Sequence, residues 1–178
     1  LLQIGGGIIV DWYKNSKSIH LTYIIVEQTH RGKGIAKRLI CEGTELIKEL
    51  IKTEYGTVIR NVFFESNIPE KTGYDNFDPL DRLLIFSKMG AKWIDLPYVQ
   101  PALDGKKKPV GNLYLLSFPR FNYNKDKIKA HEVIAFLEDL YQGLGVTDPQ
   151  NNDAFCTMQE HLTKVVDPNG DIVLMQIP

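Results

Sequence analysis

The segment Val26-Glu27-Gln28-Thr29-His30-Arg31-Gly32-Lys33-Gly34-Ile35-Ala36 joins an apolar strand pattern to an amphipathic helical pattern. Its residue types point to anion chemistry. The first turn of a helix carries unpaired N–H groups and a partial positive charge. Gly32, Gly34 and Ala36 let a ligand approach that backbone closely. The helix start is therefore read as a site for a phosphate or pyrophosphate. Arg31 and Lys33 add mobile positive charge beside it.

Generic phosphate loops fit poorly. A P-loop needs GxxxxGK followed by Ser or Thr, which is absent. A dinucleotide loop needs GxGxxG, and Gly32-Lys33-Gly34-Ile35-Ala36-Lys37 lacks the third glycine.

The elements that must hold this loop follow from periodicity. Ile8 to Tyr13 and Ile19 to Val26 read as two strands of a hairpin about the polar turn Lys14 to Lys17. Ile24, Ile25 and Val26 form a continuous apolar run, expected to be buried on both faces of a central strand. A helix is predicted from Gly34 to Lys52, with Ile35, Leu39, Leu46, Ile47, Leu50 and Ile51 on its apolar side and Gly56 as its cap. Thr57 to Glu65 reads as a second central strand. Asp78-Pro79 starts another helix, a side-chain acceptor followed by a residue without an N–H, and Gly90 closes it. Strands are predicted at Lys92 to Leu96 and Leu113 to Phe118. Beyond them come helices over Lys125 to Tyr141 and from Asp148 to about Lys164, and a last strand at Ile172 to Ile177. This order defines a mixed α/β protein.

The chain has 178 residues and 43% hydrophobic content, which suits one compact domain with an extension. Its 21 basic and 22 acidic residues nearly balance, so no general attraction to nucleic acid or to an anionic membrane is expected. The apolar run Ile8-Ile9-Val10 is too short to span a bilayer, and no secretory signal pattern is visible. Cys41 and Cys156 read as reduced packing residues of a cytoplasmic protein. His20 and His30 lack metal-ligand spacing and read as a strand and a surface residue, so no metal is expected. Lys106-Lys107-Lys108 reads as a solvated charge run. The sequence enters at Leu1 directly into Gly5-Gly6-Gly7 and a strand pattern, so further residues upstream are expected.

The loop resembles the acetyl-CoA motif of the GNAT N-acetyltransferases, which is Gln or Arg, two residues, Gly, one residue, then Gly or Ala. Arg31, Gly34 and Ala36 fill these places. The preceding strand, the following helix, the strand ending in Glu65 and the helix closing on Lys88-Met89-Gly90 stand in the order of that family. The resemblance covers roughly Gly5 to Pro119. It implies an α+β fold with a mixed, mostly antiparallel sheet, splayed central strands and flanking helices over residues 1–119, with 120–178 as a mostly helical C-terminal extension. The elements that usually precede the first hairpin are missing or reduced. Those elements normally shape one acceptor wall.

The resemblance also implies roles. Backbone groups of Ile24, Ile25 and Val26 would hold a pantetheine arm as an added strand. The N–H groups of Gly32, Lys33, Gly34, Ile35, Ala36 and Lys37, with Arg31, would hold the pyrophosphate of acetyl-CoA. Transfer would be direct attack of a primary amine on the thioester, with a carboxylate near the splay as base. Glu65 is the first candidate and Glu27 the second. The family's usual acid is a tyrosine, but Ile85-Phe86-Ser87-Lys88-Met89-Gly90-Ala91 has Phe86 in its place. Ser87, Tyr98 or water then remain as proton donors, and Tyr98 and Gln100 are candidate lining of the acceptor pocket. The function expected is N-acetyl transfer to an amine of unassigned identity. The alternative is an acyl-CoA-binding sensor or scaffold with little catalysis. The extension is expected to dock on the preceding domain or to act as a dimer arm, so a homodimer stays open.

Overall fold

The computed structural model describes residues 4–73, 77–103, 108–125 and 127–178. Lys106 and Lys107 of the basic run lie outside them. Strands β1 (Gly6–Tyr13) and β2 (Ser18–Val26) form the expected antiparallel hairpin. β2 pairs in parallel with β3 (Asn61–Asn67), which pairs antiparallel with β5 (Leu113–Ser117), itself antiparallel to β4 (Lys92–Trp93). The sheet order is β1-β2-β3-β5-β4. The mixed, mostly antiparallel sheet flanked by helices is thus observed.

Two corrections concern the first half. β2 is buried only from Ser18 to Leu21, and Tyr23 and Ile25 are exposed. The apolar run is not enclosed on both faces, because β3 parts from β2 after the pair Leu21 and Phe64. The predicted helix is also not uniform. α1 (Ile35–Arg38) passes through a π turn (Leu39–Gly43) into α2 (Thr44–Tyr55). The wider turn inserts about one extra residue into the helical phase. It rotates Ile47 and Ile51 onto the sheet, while Leu46 and Leu50 are 71% and 57% exposed instead of packed. Gly56 caps the helix at φ 65, as expected.

Strand alternation divides the sheet into two packed faces. Ile19, Leu21, Val62, Phe64 and Leu116 face α2 and α3 (Pro79–Lys88). Asp78 starts α3 by accepting from the N–H groups of Leu80 and Asp81. Phe86 fills this core against Phe64 and Phe118, at centroid distances of 4.9 and 6.3 Å.

Phe63 and Leu115 point to the other face, which the C-terminal residues cover. The helix predicted from Lys125 begins only at Ala130, since β6 (Lys127–Lys129) pairs with β7 (Asp171–Val173). α4 (Ala130–Gly143) stacks Phe136 on Phe63 at 4.2 Å. α5 (Asp153–Lys164) adds Phe155, Met158 and Leu162. Each such side chain fully buried contributes about 1.5–3 kcal/mol. Two further ties hold the extension. Buried Asp139 accepts from Ser16 N at 2.8 Å and Asn15 Nδ2 at 3.0 Å. Met175 exchanges backbone bonds with Trp93 at the sheet edge. Both cysteines are free. Among the described residues no helix is long and apolar enough to cross a membrane.

Candidate functional site

The parting of β2 from β3 creates the site. The register between them stops at Leu21 and Phe64, and Glu65 is the next residue of β3. At the same level the hairpin register skips Thr22, between the pairs Val10–Leu21 and Ile9–Tyr23. This bulge re-aims the strand. Thr22 Oγ1 donates to Asp11 Oδ2 at 2.7 Å. His20 and Asp11 are register partners and look onto the same cleft as Glu65.

The cleft measures about 390 Å³. The hairpin lines it with Asp11, Tyr13, His20, Thr22 and Tyr23. β3 contributes Glu65 through Asn67, α3 contributes Arg82, and the extension contributes Leu140 and Leu144.

Glu65 is the best-positioned titratable group. The Tyr98 hydroxyl donates to its Oε1, and Gln100 Nε2 donates to its Oε2 at 3.1 Å. Burial pushes its carboxyl up to about 7, and the Tyr98 bond opposes that rise. Tyr98 is itself buried, and burial with the neighbouring carboxylate holds its phenol well above the ordinary range. Its hydroxyl is therefore a fixed donor to Glu65. His20 Nε2 lies 3.6 Å from Glu65 Oε2. Burial holds this imidazole down to about 4, so the contact is polar rather than ionic at neutral pH. Both His20 ring nitrogens lack a hydrogen-bond partner among the described residues.

Glu27 has a different place. It accepts from Thr29 N at 2.8 Å, from the Thr29 hydroxyl and from His30 Nδ1 at 3.0 Å. Bonds from Thr29 and His30 hold its carboxyl down to about 2. It caps the short turn Gln28–His30 and does not line the cleft.

The glycine loop opens the long helix, as read from sequence. Gly32 and Gly34 both have φ +76, a conformation costly to residues with a Cβ. Among the described residues, none beyond their chain neighbours comes within 4 Å of where their Cβ atoms would stand. Gly34 precedes Ile35 without a side-chain cap bond, so the cap residue gives the first-turn N–H groups no side-chain acceptor. Lys33 and Lys37 are exposed. Arg31 Nε donates to Val26 O at 3.4 Å, and its guanidinium lies 5.6 Å from the Phe77 ring centroid. Gly6 sets the helix against the hairpin, since a Cβ there would lie 2.7 Å from Ile25 O and 3.2 Å from the Ile35 side chain. Ile24, Ile25 and Val26 pair with β1 on one edge. Their other edge has no strand partner among the described residues.

The structure thus joins Glu65, Tyr98 and Gln100, and separates Glu27 from them. Sequence reasoning missed His20, Asp11, Thr22 and Leu144. Alternation in the hairpin carried a signal for Asp11 and His20, which share a face across a short turn. The bulge and the fold-back of α4 left none. Among the described residues no His, Cys, Asp and Glu side chains gather as a metal site.

No protein-family model and no curated protein matches the sequence. Two solved structures are similar in fold. One is a nourseothricin acetyltransferase, at TM-score 0.43 and 17% identity, covering 64% of this chain and 56% of that one. The other is assigned to the GNAT family of acetyltransferases, from Bacteroides thetaiotaomicron, at TM-score 0.48 and 13% identity, covering 79% and 66%. The chain therefore spans only 56% and 66% of the length of these two structures. The chain's own topology, with a hairpin, a parting parallel pair and a glycine loop opening a long helix, has the element order and the mixed, mostly antiparallel sheet that the sequence resemblance implies.

Proposed function

We propose that this protein is an acetyl-CoA-dependent N-acetyltransferase acting on a primary amine. The observation that carries this is the place of Glu65, first on β3 beyond its last pair with β2. The free edge of Ile24 to Val26 would bind the pantetheine arm as an added strand. The N–H groups from Gly32 to Lys37 would bind the pyrophosphate of acetyl-CoA. The pantetheine arm would then run from the glycine loop along this edge towards the fork where Glu65 lies.

Glu65 takes a proton from the amine, which attacks the thioester carbonyl carbon. The C–N bond forms, the C–S bond breaks, and CoA leaves as thiolate. A carboxyl near 7 suits this base role at neutral pH. Tyr98 and Gln100 fix its two oxygens and act as positioning residues. The thiolate takes its proton from water or a cleft phenol, and Tyr13 and Tyr23 line the cleft.

A second reading, an acyl-CoA sensor with little transfer, is favoured by one observation. Phe86 is core packing and the Tyr98 hydroxyl is bound to Glu65, so neither serves the thiolate. A thermal-shift titration with acetyl-CoA, followed by thiol release across an amine panel, separates the two. A rise in melting temperature with amine-dependent thiol release supports transfer. A rise with no release supports the sensor, and no rise overturns both.

A further inference from the structure

Next to the cleft lies a second cavity of about 420 Å³, between the loop after β4 and the end of α4. Leu103 and Leu144 line both spaces, so the two adjoin across this pair. The second cavity is apolar in its chemistry. Val99, Pro101, Leu103, Leu144 and Val146 form much of its wall, and none of its described lining residues is charged. The oxygens of its two polar side chains are already bonded. The Tyr141 hydroxyl donates to Val99 O at 2.6 Å. Asn152 Oδ1 accepts from Ala154 N and Phe155 N at 3.1 and 3.2 Å. A sugar or a polyamine entering there would lose water without gaining comparable partners. An alkyl or aryl group would not.

The cleft side differs. Asp11 is exposed there, held by Thr22. His20, 3% exposed, lines the same space, and both its ring nitrogens are buried without a hydrogen-bond partner among the described residues. Such buried polar atoms point to a ligand group. The polar end of a bound molecule therefore belongs by Asp11, His20 and Glu65, and the apolar end beyond the leucine pair.

We propose that the acceptor is a primary amine carrying an apolar arm, with its nitrogen at Glu65 and its arm over Leu103 and Leu144 in the cavity walled by the C-terminal extension. This rests on the acyltransferase reading for the role of the nitrogen, but not for the cavity. The extension then supplies acceptor specificity.

The test uses the full chain with propylamine, butylamine, hexylamine and octylamine, and spermidine as the polar comparison. With acetyl-CoA, kcat/KM is expected to rise about fourfold for each methylene that enters the cavity, with spermidine far below octylamine. Leu103→Asp and Leu144→Asp should each flatten this series by tenfold or more. Leu103 is 59% exposed, so its variant should fold even if the other does not. In parallel, calorimetry on CoA-saturated protein compares octylamine with propylamine directly, without turnover. Tighter octylamine binding that Leu103→Asp abolishes supports the proposal. Equal binding of the two amines, or a series unchanged in Leu103→Asp, overturns it. Should acetyl-CoA give neither stabilisation nor thiol release, the acyltransferase reading fails, and the same calorimetric ratio measured without CoA still decides the cavity.

Discussion

The phenol of Tyr98, on the loop after β4, donates its hydrogen bond to Oε1 of Glu65, the first residue of β3 beyond its pairing with β2. The bond fixes the carboxyl, while burial holds its proton affinity near neutrality. Activity should therefore follow the deprotonation of Glu65. We expect kcat/KM to rise with pH through about 7 and then level. Glu65→Gln should lower kcat by about 10²–10⁴-fold and remove this limb. A pH–rate profile of both proteins checks it. A limb near 7 that survives in Glu65→Gln would assign the base elsewhere.

Stability should carry the same signature with opposing signs. The folded carboxyl of Glu65 lies at about 7 against an ordinary 4.5, so the native state holds the extra proton. Its contribution is present below 4.5 and lost as pH rises to about 7. His20 is lowered to about 4 from 6.5. Its contribution is present above 6.5 and lost as pH falls to about 4. The two offset each other between about 4.5 and 6.5. In Glu65→Gln, melting temperature should rise with pH across that window. In His20→Asn it should fall from about 4.5 to 7. Parallel curves for the wild type and both variants would contradict this linkage.

Tyr98→Phe removes the bond that holds Glu65 down. The acidic limb should move to higher pH, with activity at pH 7 reduced several-fold and little change on the alkaline plateau. A buried acceptor is left short of a partner, which costs about 1–3 kcal/mol. Denaturant titration and the pH profile read the two effects separately. Loss of the plateau with an unmoved limb would instead make Tyr98 a direct proton donor.

Gly34→Ala places a Cβ at φ +76. The strain costs about 1–2 kcal/mol. Among the described residues nothing beyond the adjoining chain lies near that Cβ, so any larger effect on acetyl-CoA must come from the ligand's own space. We expect acetyl-CoA affinity to fall tenfold or more by calorimetry, against a small drop in melting temperature. Equal affinity in the two proteins would remove this loop from the pyrophosphate site.

Much of this arrangement was legible in the sequence, for reasons that differ by residue. Arg31, Gly34 and Ala36 carry a local pattern, and Asp78-Pro79 and Gly56 carry local caps, so the helix boundaries followed. Glu65 was readable because it closes an apolar run. Leu46 and Leu50 were misplaced because nothing in Leu39–Gly43 announces a π turn, and one extra residue rotates every later side chain. Ile25 was expected to be buried because an apolar run does not reveal that its neighbouring strand departs. His20 shares a hairpin face with Asp11, a local signal, whereas Leu144 belongs to the site through the docking of α4, which is distant in sequence. Glu27 and Glu65 looked alike as strand-end carboxylates. Only packing separates a buried carboxyl near 7 from a capping one near 2.

The docking of α4 also decides whether residues 1–119 can stand alone. Phe136 stacks on Phe63 at 4.2 Å and touches the His20 ring at 5.7 Å. It thus covers the sheet face that carries the candidate base. Phe136→Ala should cost about 3–5 kcal/mol, as expected for an emptied aromatic core site. It should also loosen the lid over His20, so that the imidazole moves up towards its ordinary value as water enters. Deleting residues 120–178 would bare Phe63, Leu115 and Ile94 together, and the remaining chain should aggregate or fail to melt cooperatively. Denaturant unfolding of Phe136→Ala, with the His20 titration followed by NMR, measures both consequences. A truncated chain that melts cooperatively and binds acetyl-CoA as well as the full chain would show the extension to be dispensable to this core.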